Sequence, residues 1–142
     1  MIKMSTILII AGIIIVVIVG YGFYMANKIK NTPEVANSEK VKVLTDKNFT
    51  QQTNKGIVLV DFWAVWCMPC KMMAPIINDV ANNAPDGVTI GKLNVEEAQS
   101  IAQKYNVRSI PTTILFKDGK EINRFVGIKS KDFLLKEINK AK

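Results

Sequence analysis

Polarity vanishes near the start of the chain and then returns in alternating short blocks. From Met4 to Asn27 no charged residue occurs over 24 positions. As a helix that run spans roughly 36 Å at about 1.5 Å per residue, and a bilayer core needs about 20 such residues. Its centre, ILIIAGIIIVVIVG, is followed by Tyr21, Phe23 and Tyr24, at the level of an interfacial aromatic belt. A buried core helix would alternate with polar residues, and this one does not. A cleaved export signal is a second reading, with Lys3 as its basic start and Gly20 and Gly22 as small residues near a cleavage point. The length of the run favours an uncleaved anchor over residues 1–27. Lys3 on one flank and Lys28 and Lys30 on the other are nearly balanced. The domain is placed outside the cytoplasm because an N-terminal anchor resembles an export signal.

Residues 28–40, KIKNTPEVANSEK, are polar, aperiodic and contain Pro33, and they read as a linker. Residues 41–142 then alternate in period. VKVL, GIVLVDFWA, VTIGKLNV, TTILFK and EINRFVG read as strands, and the second is apolar enough to be covered on both faces. TDKNFTQQTNK, the segment opening at the cysteines, EEAQSIAQKYN and SKDFLLKEINKAK read as helices, the last with Ser130 as N-cap. Met73, Ile76, Ile77, Val80, Ala81 and Ala84 share one helical face, and Pro75 is expected to kink that helix. Asp118-Gly119 is a two-residue hairpin signal. The order β-α-β-α-β-α-β-β-α predicts an α/β domain: a central mixed β-sheet flanked by helices, with parallel crossovers and an antiparallel hairpin at the edge.

Composition changes this picture little. The 49% hydrophobic fraction of the 142 residues is inflated by the N-terminal run. The net charge of +7 is spread along the chain without interleaved aromatics, so nucleic acid is not expected as a partner. The lysine-rich tail is a solvated helix face, compatible with weak attraction to anionic headgroups.

The chemistry lies in WAVWCMPCK, which holds the chain's two cysteines, Cys67 and Cys70. A structural zinc site takes four ligands, and a chain with two cysteines and no histidine does not supply them, so no metal is expected. A structural disulfide over so short a loop constrains the unfolded chain little. A redox pair is the remaining reading. It follows a buried strand and opens a helix, where unpaired N–H groups and the helix dipole favour a thiolate at Cys67. Pro69 suits the first helical turn. Cys67 would attack a substrate disulfide and Cys70 would resolve the mixed disulfide. Asp61, between Leu59 and Trp63 on one strand face, is either the buried acceptor of the Cys70 proton or a strand-end aspartate facing solvent. The residues alone leave those two readings even.

VDFWAVWCMPCKMMAPI resembles the active-site stretch of the thioredoxin family. KLNVEE, YNVRSIPTTILFKDGKE and FVGIKSKDFLLKEI resemble later segments of that family in the same order. The resemblance covers roughly residues 42–140. It implies a thioredoxin fold behind the N-terminal transmembrane helix, with Cys67 as nucleophile, Cys70 as resolving cysteine and Asp61 as buried acid/base. It further implies that Lys92 lies near Asp61, that Pro111 is cis and faces the cysteines, and that Ile110 offers backbone contacts to a substrate peptide. Trp66, Met68, Pro69 and Gly127 fall on the docking surface. Read alone, Lys92 is a surface strand residue, Trp66 a core tryptophan and Gly127 a turn glycine. Met68 stands where the family motif has glycine, and Val65 where it often has glutamate.

The expected function is thiol–disulfide oxidoreduction of protein substrates by a monomer that needs no cofactor. Reduction is favoured over oxidation. Outside the cytoplasm, a reductase needs a membrane thiol-electron transporter as partner. Inside, a soluble thioredoxin reductase would serve. A binding module in which the cysteines matter little is the alternative from another class, and Cys67, Cys70, Asp61 and Pro111 argue against it.

Overall fold

The computed structural model describes residues 4–30 and 36–142. Lys3 and Pro33, used above for orientation and linker, lie outside the described residues. The chain divides into two units, Met1–Pro33 and Glu34–Lys142. The first is built on α1 (Met4–Lys30), whose stretch Ile7–Met25 is long and apolar enough to cross a membrane.

In the second unit the order is β1 (Val41–Leu44), α2 (Phe49–Thr53), β2 (Ile57–Trp63), α3 (Met68–Asn83), β3 (Val88–Asn94), α4 (Gln99–Lys104), β4 (Thr112–Lys117), β5 (Lys120–Val126) and α5 (Lys131–Ala141). The sheet order is β1-β3-β2-β4-β5. Parallel pairing joins β1 to β3 and β3 to β2, and antiparallel pairing joins β2 to β4 and β4 to β5. The antiparallel part is therefore larger than an added edge. β4 is interior, its apolar TTILF run buried on both faces, and of the two hairpin strands β5 lies at a rim, with β1 at the opposite one. Asp118 and Gly119 both have positive φ, 48° and 80°, as a tight primed hairpin turn requires.

Period-two alternation sorts the strand side chains into two cores. Leu59, Ile90 and Leu115 face α3 and α5, against Met73, Ile77, Val80, Leu134 and Ile138. Val58, Val60, Phe62, Ile114 and Phe116 face the other side, with Phe49, Leu93 and Ile101. α3 continues as helix through Pro75. Of the face read from the sequence, Met73, Ile77, Val80 and Ala81 are buried, Ile76 and Ala84 are half-buried, and Cys70 and Ala74 are buried beside them. Ser130 caps α5 by accepting from the Phe133 N–H. The two shorter helices are trimmed relative to the sequence reading, and neither has a side-chain N-cap bond.

The stretch expected as a linker to residue 40 carries structure at both ends. α1 runs to Lys30. Residues 36–40 are bonded to α3, because Asn78 binds both Ala36 and Ser38 and the Asn82 backbone carbonyl accepts from Lys40. Polarity marked these residues as solvated, and the half-buried Asn78 and exposed Asn82 on the helix give that polarity a partner.

Candidate active site

β2 ends at Trp63 and the chain turns back at once. The Cys67 N–H donates to the Ala64 carbonyl at 3.1 Å, closing the turn. Cys67 is the N-cap of α3, and its Sγ accepts from the Cys70 N–H at 3.2 Å. Met68 and Pro69 fill the first helical positions, where a proline removes no helix bond. Cys67 and Cys70 form a disulfide with their Cα atoms 5.2 Å apart. Both are buried in the disulfide form, at 4% and 3% exposure. Ala64 completes their cluster, with Trp63, Val95 and Ile110 packed against it.

The Ile110–Pro111 peptide is cis, and Pro111 is buried. The Pro111 carbonyl accepts from the Gly127 N–H at 2.8 Å, which ties the glycine to this loop, and Gly127 has φ +79°. Around the disulfide the surface is apolar and open. Trp66 is 60% exposed, against the core reading of a tryptophan, and Val65, Met68 and Met72 are exposed with it. Met68 and Met72 are four residues apart, so both lie on one face of α3.

Beneath this surface lies a polar row. Asp61 is the register partner of Lys92 on β3 and of Thr113 on β4. The three residues lie two positions along from the apolar row of Leu59, Ile90 and Leu115, so they share its face. Asp61 is 1% exposed and Lys92 3%, which excludes the solvent-facing reading of the first and the surface reading of the second. Both Asp61 carboxyl oxygens and the Thr113 Oγ1 are buried with no hydrogen-bond partner among the described residues. Burial pushes the Asp61 pKa up from 3.8 to about 7, and the positive field of Lys92 opposes that rise. The Lys92 ammonium lies 4.4 Å from the Trp63 ring centroid and donates to Asn37 Oδ1 at 3.0 Å. Cys70 occupies the same face of α3 as Met73 and Ile77, which cover the apolar row. One turn nearer the helix start, it lies toward the polar row.

The sequence reading missed Thr113, Trp63 as a partner of Lys92, and Asn37. Thr113 directly follows the Pro111-Thr112 pair, so the proline motif was its signal. Asn37 had none, since its contact spans 55 positions.

Comparisons with known proteins agree with this geometry. The family model described as Thioredoxin matches residues 40–140. A thioredoxin of Chlamydia pneumoniae is 51% identical over 100 residues, covering 70% of this chain and 97% of that one. A thioredoxin of Bacillus subtilis is 45% identical over 96 residues, covering 68% and 92%. Among solved structures, a point-mutant thioredoxin from Halobacterium salinarum superimposes with a TM-score of 0.66 at 30% identity, covering 75% of this chain and 94% of that one. Family, fold and cysteine pair agree: the chain belongs to the thioredoxin family and is a thiol–disulfide oxidoreductase.

Proposed function

We propose that this chain reduces protein disulfides at the extracytoplasmic face of a membrane, to which α1 anchors it as a single-pass, uncleaved helix. The observation that supports proton transfer at the cysteine pair is the buried Asp61, and the preference for reduction over oxidation comes from the likeness to thioredoxins. A carboxyl group buried on the strand that feeds the cysteine turn, with a pKa near 7, takes a proton at neutral pH without being permanently charged.

In the dithiol form, the Cys67 thiolate attacks one sulfur of a substrate disulfide. That bond breaks, a mixed disulfide forms, and the departing substrate sulfur takes a proton. Cys70 then gives its proton to the Asp61 carboxylate, and its thiolate attacks Cys67 Sγ. The Cys67–Cys70 disulfide forms and the second substrate sulfur leaves, so two electrons have passed to the substrate. The helix N-terminus favours the thiolate at Cys67, and Lys92 sets how readily Asp61 releases its proton between cycles. Trp66, Met68, Pro69, Ile110, Pro111 and Gly127 form the surface on which an extended substrate segment lies. A membrane thiol-electron transporter restores the dithiol, and the domain works as a monomer.

Support for the anchor is the length and composition of Ile7–Met25. The test of direction is equilibration of the protein with glutathione and dithiothreitol buffers. A potential close to about −270 mV, characteristic of thioredoxins, supports reduction, and one near about −120 mV makes the chain an oxidase. Insulin reduction is expected to disappear in Cys67→Ser.

A further inference from the structure

The segment that enters the domain ends against the buried lysine. The Asn78 side chain donates to the Ala36 carbonyl at 2.9 Å and accepts from the Ser38 N–H at 2.9 Å. Ser38 Oγ and Asn82 Oδ1 add a bond of 2.8 Å. Residues 36–38 are thus fixed along α3, and Asn37 between them presents Oδ1 to the Lys92 ammonium. Asn37 precedes the residues that the family model covers, 40–140. This chain's leading segment therefore adds a group to a site that the family match alone does not describe.

We propose that Asn37 is a positioning residue for the thiol chemistry: it fixes the Lys92 ammonium over Trp63 and so sets the electrostatic field at Asp61. An ammonium is strongly hydrated, and inside a domain it needs acceptors in place of water. Its hydrogen bond to a side-chain carbonyl is charge-assisted and more directional than the ring contact, so Asn37 helps to fix where the charge sits. Among the described residues, the register partners of Asp61 are Lys92 on β3 and the uncharged Thr113 on β4, and the cysteine pair opens α3 just beyond the strand that carries Asp61. Lys92 supplies the field that lowers the carboxyl pKa. Without Asn37 the ammonium loses one of its anchors and shifts, its attraction for the carboxylate weakens, and the carboxyl holds its proton to higher pH. The link from that change to catalysis rests on the role of Asp61 given above.

The test follows the 13C resonance of the Asp61 carboxyl against pH in the full-length oxidised protein in detergent micelles, so catalysis is not read. Asn37→Asp adds a negative charge beside Lys92 and is expected to raise the midpoint by about half a pH unit or more. Asn37→Ala raises it less, and Asn78→Ala, which releases the segment, does the same. In a Lys92→Met background, Asn37→Ala leaves the midpoint where it is. An unchanged or lowered midpoint in both Asn37 variants overturns the proposal, as does an equal Asn37→Ala shift with and without Lys92. A protein that failed to reduce insulin would overturn the functional reading and leave this titration result standing.

Discussion

Asp61 and Lys92 are register partners on adjacent parallel strands, and both are buried. They make no hydrogen bond to each other, and the carboxyl oxygens make none at all among the described residues. A carboxyl so placed is held by its surroundings near the point of half-ionisation at neutral pH. Asp61→Asn is therefore expected to slow resolution of the mixed disulfide by at least about tenfold. The wild-type rate should rise with pH through an inflection near 7 that the variant lacks. Stopped-flow reduction of a model disulfide from pH 6 to 9 checks this, and identical profiles would remove Asp61 from the mechanism.

The same group links stability to pH. In the folded oxidised protein Asp61 keeps its proton up to about pH 7, and the unfolded chain releases it near 3.8. Between those values the folded state binds more protons, so stability falls as pH rises and levels off above 7. The interval corresponds to about 4 kcal/mol from this residue, as an upper figure. Urea unfolding of the domain should show this loss between pH 4 and 8, and Asp61→Asn should flatten it and be the more stable protein at pH 8.

Met68 occupies the first position of α3 beside the nucleophile and is exposed. Its replacement by glycine should leave the core intact and move the reduction potential by tens of millivolts, where about 30 mV corresponds to about 1.4 kcal/mol. Glutathione equilibration measures the shift. An unchanged potential would restrict Met68 to partner docking.

Gly91 lies on β3 under Leu44. A Cβ built there meets Leu44 Cδ1 at 2.6 Å and Cγ at 3.0 Å. Leu44 is itself packed in the second core, so its side chain has little room to yield. Gly91→Ala should destabilise the domain by about 1–3 kcal/mol in denaturant unfolding, and a smaller loss would show that Leu44 repacks.

Full-length protein should stay with membranes through high-salt and alkaline washing if α1 is an uncleaved anchor. Attachment through the C-terminal lysines alone would be released by salt, since exposed charges more than about 10 Å apart are screened near 0.1 M. A cleaved signal would leave a soluble domain starting near residue 23. Protease added to cells stripped of their outer barrier should digest an outward-facing domain. Digestion only after lysis would place it in the cytoplasm and make a soluble thioredoxin reductase its partner.

The local pattern determined much of this protein. Periodicity placed the five strands, the buried stripe of α3 and the Asp118-Gly119 turn, because each is set by which side chains must leave water within one element. Spacing put the cysteine pair at the start of α3, since a proline such as Pro69 removes no hydrogen bond in the first helical turn. The resemblance to thioredoxins supplied the cis Ile110–Pro111 peptide and the nearness of Lys92 to Asp61, while the burial of Lys92, a surface strand residue when read alone, came from the structure. Tertiary structure decided the rest. β4 is interior because strand order depends on which edges remain free after β2 and β3 pair. Asp61, Lys92 and Thr113 become one buried row only through the register of three strands that are distant in sequence. Asn37 reaches Lys92 because Asn78 and Asn82 hold its neighbours along α3. No local rule encodes a contact of that kind, since it exists only once the helix and the sheet have packed.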